Sequence, residues 1–151
     1  MRPLINISND PAPTLDVAIQ RATQVVQSQQ APGGYWWYTL QANESIGAEY
    51  VFLEHCLGKR TPGVWERLTE RMQQEQLPDG SWNLAHGLPG DLSATLECYV
   101  ALRMAGLERT ADCLTKAREF IAAQGGLVNA RIFTQIHFAQ LGLTPWDWPP
   151  G

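Results

Sequence analysis

The ionisable residues able to do chemistry in this chain are few and far apart. Glu49 and Glu97 are separated by 48 residues, each in the middle of an apolar helical stretch. A carboxylate in such a place has a raised pKa unless it is paired or hydrogen-bonded. Two roles fit them. They either hold polar contacts toward the interior of the fold, or bond neighbouring helix ends and basic residues and so fix packing; packing is the preferred reading. His55, His86 and His137 include no pair three or four residues apart, the spacing two metal ligands on one helix require. No metal site and no cofactor are therefore expected. His137, one turn beyond Phe133 on an apolar face, reads as a satisfied core histidine, and no Ser/His arrangement supports a nucleophilic triad. Cys56, Cys98 and Cys113 are odd in number and widely spaced, which suggests buried free thiols. Of the sequons Asn6-Ile7-Ser8 and Asn43-Glu44-Ser45, the second is better explained as a helix cap.

The elements that must position these residues are helical. With 151 residues, 44% hydrophobic and 17% charged, the chain suits one folded domain and argues against disorder. A net charge of −4 excludes the basic stripe of a nucleic-acid binder. No apolar run approaches a membrane span, and the N-terminus lacks a signal-peptide pattern, so a cytoplasmic protein is expected. Apolar spacing predicts helices over about 15–29, 44–57, 62–72, 92–105, 111–123 and 129–141. Thr14 is placed to cap the first, Thr61-Pro62 opens the third, and Gly58, Gly106 and Gly142 stop the second, fourth and sixth. No convincing strand is found. Residues 1–13 read as an N-terminal extension and 14–151 as an incomplete helical domain.

The helices repeat as pairs. Gln30-Ala31-Pro32-Gly33-Gly34-Tyr35-Trp36 matches Gln76-Leu77-Pro78-Asp79-Gly80-Ser81-Trp82 at an offset of 46 residues. Gln124-Gly125-Gly126 is a degraded third copy without the Trp. In each turn the Gln amide is suited to bond backbone groups at a helix end, the Gly allows a left-handed turn, and the Trp covers it. These turns are structural clamps: Gln30 and Gln76 should lie beside Trp36 and Trp82. The first, third and fifth helices carry a polar face and form an outer layer. The second and fourth are apolar nearly all round and form an inner one. The architecture expected is all-α, a partial α/α toroid of about three helix pairs, too few to close. Tyr50, Leu53, Phe133 and Ile136 should then contribute to an exposed apolar surface.

The paired Gln/Trp turns, Gly34-Tyr35-Trp36-Trp37, Ala48-Glu49-Tyr50-Val51, Gly90-Asp91-Leu92-Ser93 and Ala130-Arg131-Ile132-Phe133-Thr134 together resemble the N-terminal part of squalene–hopene cyclases. That resemblance implies an α/α-barrel isomerase of triterpenoid and hopanoid biosynthesis, several times longer than this chain. Its Asp-x-Asp-Asp acid protonates squalene, and aromatic faces steady each cation by about 0.5–2 kcal/mol. Asp10, Asp16, Asp79, Asp91, Asp112 and Asp147 form no such pattern here. The chain is thus expected to be inactive alone, as a truncated or split product, with no catalytic residue of its own. Its expected partners are the missing catalytic part of a cyclase or a second copy of itself, with a squalene-like substrate only in the complete enzyme. The family also implies peripheral contact with the cytoplasmic membrane. The alternative is a non-catalytic helical-repeat module that binds an isoprenoid or a partner protein. Gly47, His137 and Gln140 depart from the family pattern.

Overall fold

Each of the six apolar periodic stretches is helical in the computed structural model, which describes residues 14–37 and 42–147. The helices are α1 (Leu15–Ser28), α2 (Glu44–Cys56), α3 (Val64–Gln74), α4 (Leu92–Met104), α5 (Asp112–Ala123) and α6 (Ile132–Gln140). The extension 1–13 with its sequon, and the C-terminal residues 148–151, lie outside the described residues. The chain divides into two compact units, 1–41 and 42–151.

Glycine stops three helices by one mechanism. Gly58, Gly106 and Gly142 take positive φ of 62°, 104° and 70°. Behind each, the next N–H reaches back to the final turn: Lys59 to the Glu54 carbonyl, Leu107 to Leu102 and Leu143 to Phe138, at 2.8–3.1 Å. These paired backbone closures satisfy carbonyls that a helix end otherwise leaves open. At the other ends, the Asn43 side chain accepts from the Ser45 N–H at 3.2 Å and the Asp91 side chain from the Ala94 N–H at 2.8 Å.

In the second unit α4 is central and packs against α2, α3, α5 and α6. Ala94, Cys98, Ala101 and Leu102 of α4 are buried with Ala48, Val51 and Phe52 of α2, Met72 of α3 and Leu114 of α5. Within this unit α2 and α4 are the most enclosed helices, as expected of an inner layer, and α3 and α5 bury fewer residues. Gly47 has a packing reason: a Cβ there would stand 3.3 Å from Leu68 Cδ2 and 3.4 Å from Met72 Cε, so its absence lets α3 approach α2.

The two Gln/Trp turns superimpose bond for bond. Gln30 Nε2 donates to the Gly34 carbonyl and Gln76 Nε2 to the Gly80 carbonyl, both at 2.8 Å. Trp36 Nε1 donates to the Val26 carbonyl and Trp82 Nε1 to the Met72 carbonyl, both at 2.7 Å. This corrects the assignment of roles. The Trp indole satisfies the helix-end carbonyl; the Gln closes the turn itself, and Gln76 also reaches the Cys113 carbonyl of α5 at 2.8 Å. The third copy closes differently, with Asn129 Nδ2 donating to the Gln124 carbonyl at 3.0 Å and Gly125 at φ 83°.

Gly80 carries a second constraint. A Cβ there would lie 2.4 Å from the Lys116 carbonyl carbon, whereas Gly34, at a similar φ, has open space. We expect Gly34→Ala to cost only the left-handed backbone penalty of about 1–2 kcal/mol. Gly80→Ala should cost clearly more in urea denaturation, because backbone must move. Equal losses for the two variants would show that the turn does not press on α5.

Several local expectations are corrected. A two-residue antiparallel ladder joins β1 (Trp82–Asn83) to β2 (Gly90–Asp91), although no strand was expected. Gly90 permits it, since a Cβ there would overlap Ser81 Oγ at 1.9 Å. Thr14 sits at the start of α1 without a side-chain capping bond. Helix α3 begins at Val64, behind Gly63 at φ 73°, not at Pro62. Thr61 instead gives both its N–H and its hydroxyl to Glu54. Leu127–Asn129 is a 3₁₀ turn, and α6 starts only at Ile132.

Candidate functional site

The inner helices bring together residues that the sequence keeps far apart. Glu49 on α2, Glu97 on α4 and His137 on α6 each offer a ligand atom, and these atoms lie within 4.8 Å of one another. Helix α6 is seated on α4 by polar contacts at its N-terminal end. The Arg131 N–H donates to Ser93 Oγ at 2.8 Å, and its guanidinium grips Asp91 through two 3.1 Å contacts. One turn further on, Thr134 is fully buried and donates its hydroxyl to Glu97 Oε1 at 2.5 Å.

Glu97 is 3% exposed, and its second oxygen, Oε2, has no hydrogen-bond partner among the described residues. Burial pushes its pKa up to about 7, against the Thr134 hydrogen bond and with help from the charge on Glu49. His137 Nδ1 is likewise buried and unpartnered, 4.0 Å from Glu49 Oε1. The Phe52 ring meets the His137 ring edge-on at 6.3 Å between centroids. The reading of His137 as a satisfied core histidine is therefore corrected. Glu97 takes the Thr134 hydroxyl of α6 as its partner, neither a helix end nor a basic residue, and Glu49 faces His137 across to the same helix.

A pocket of about 390 Å³ opens beside this cluster, lined by Glu49, Phe52, Leu53, His137 and Leu141 among others. Tyr50 and Leu53 are exposed, Phe133 is 69% exposed and Ile136 is half-buried.

A second carboxylate centre was not anticipated. Glu54, buried near the end of α2, accepts from Tyr50 Oη at 2.9 Å, the Thr61 N–H at 3.0 Å, the Thr61 hydroxyl and Trp65 Nε1 at 2.6 Å. The bonds from Thr61 lead in holding its pKa at about 2. Four donors converging on one carboxylate make it a brace between α2 and α3. The only sequence signal was a Glu four residues after a Tyr on the same helix. The cysteines are all free: Cys98 is buried, Cys113 half-buried, and Cys56 exposed, contrary to its expected burial. Burial raises the thiol pKa of both Cys98 and Cys113 and disfavours the reactive thiolate.

Six helices with two Gln/Trp turns of the same hydrogen-bond pattern define an all-α domain of the helical-repeat class. The chain belongs to the squalene-hopene cyclase N-terminal domain family, whose model matches residues 19–151. It is similar to the squalene–hopene cyclase of Alicyclobacillus acidocaldarius, with 38% identity over 92% of this chain and 22% of that protein. Dammaradiene synthase of Dryopteris crassirhizoma is 40% identical over 96% of this chain and 21% of its own length. The squalene–hopene cyclase of Zymomonas mobilis is 35% identical over 87% of this chain and 20% of its own. The chain thus spans about a fifth of the length of these relatives. No described helix is long and apolar enough to cross a membrane.

Proposed function

We propose that this domain serves as the N-terminal scaffold of a triterpene cyclase that acts on squalene or a related polyene. The observation that carries the reading is the exposure of Tyr50, Leu53 and Phe133 on α2 and α6, with Leu53 and Glu49 lining an open pocket. An apolar surface of this kind supports docking to further cyclase segments. Its aromatic members also offer π faces to a carbocation. The initiating acid is the part a scaffold does not supply: an alkene is a very weak base, and these 151 residues contain no Asp-x-Asp-Asp.

The test is incubation of the purified chain with squalene, followed by product analysis, alone and with a co-expressed segment carrying Asp-x-Asp-Asp. We expect no cyclised product from the chain alone. Light scattering should show self-association alone and a defined complex with the added segment. Hopene formed by the 151 residues unaided would refute the assignment of the acid to another segment. A monodisperse monomer that ignores the added segment would refute the scaffold role and favour a self-contained isoprenoid-binding module.

A further inference from the structure

We draw no further inference here: the strongest candidate, the exposed apolar row Ile46, Tyr50, Leu53 and Leu57 along α2, beside the groove that Val64 and Leu68 of α3 border, belongs to the docking surface already described, and nothing in the structure shows what covers it.

Discussion

Trp82→Ala should lower the stability of the second unit by about 3–5 kcal/mol, the range for removing a fully buried aromatic side chain. The ring is 1% exposed, and truncating it does more than open a cavity. Its Nε1 hydrogen bond to the Met72 carbonyl is lost, so a helix-end acceptor is stranded in the core. Its own N–H, bonded to Thr95 Oγ1 at 3.1 Å, anchors the short ladder to α4, and that anchor depends on the ring holding the turn in place. Trp36→Ala is the internal comparison. It breaks the equivalent bond, to Val26, but its ring is 44% exposed, so the cost should be markedly smaller. Urea denaturation of both variants, followed by circular dichroism, measures the difference. Equal losses, or a Trp82→Ala cost under about 1 kcal/mol, would contradict the division of labour between indole and glutamine described above.

The second large effect is in pH dependence, where two glutamates act in opposite directions. In the folded chain Glu97 titrates near 7 rather than at 4.5. Between these values the folded state holds a proton that the unfolded chain has released, so stability falls as pH rises through that window. Glu54 titrates at about 2 in the folded state, so its contribution is present above 4.5 and is lost as pH falls from 4.5 toward 2. The urea midpoint should decline from both sides of roughly pH 4.5 on account of this pair. Glu97→Gln should flatten the decline between 4.5 and 7. Glu54→Gln should flatten the acid limb and lower stability at neutral pH, because a single amide oxygen cannot accept from Thr61, Tyr50 and Trp65 together. A Glu97→Gln profile parallel to the parent across that window would mean that Glu97 does not titrate there.

Much of the fold was legible in the residues alone, because it rests on local rules. Spacing of Val64, Trp65, Leu68 and Met72 gives α3 its buried face wherever the helix is placed, and Gly58, Gly106 and Gly142 end their helices through backbone geometry alone. The repeat of Gln, Pro, Gly and Trp 46 residues apart required two equivalent turns, and two equivalent sets of hydrogen bonds are present. The exact bond donors were not legible. Gln and Trp both carry N–H groups, and which one reaches the helix end depends on how the chain doubles back over ten residues.

The start of α3 was misplaced for a similar reason. Thr61-Pro62 is a good local opening for a helix, but Glu54, seven residues earlier, outcompetes that role by taking both Thr61 donors. Local preference is worth about 1 kcal/mol at a cap, and a buried carboxylate with several donors outweighs it.

The sequence by itself determined the six helices, the repeat and the family, since each depends on residues close together or on spacing along the chain. Only the tertiary structure decided that Glu49, Glu97, Thr134 and His137 meet. Along the chain they form no motif: a search for ligands three or four residues apart on one helix passes over His137, whose nearest acidic neighbours stand on α2 and α4. The physical reason is that side-chain periodicity fixes which face a residue occupies on its own helix, whereas the residues facing it across a gap are set by how three helices pack. That packing was decided here by Arg131 gripping Asp91 and Ser93, and by Phe52 wedged against His137 and Phe138.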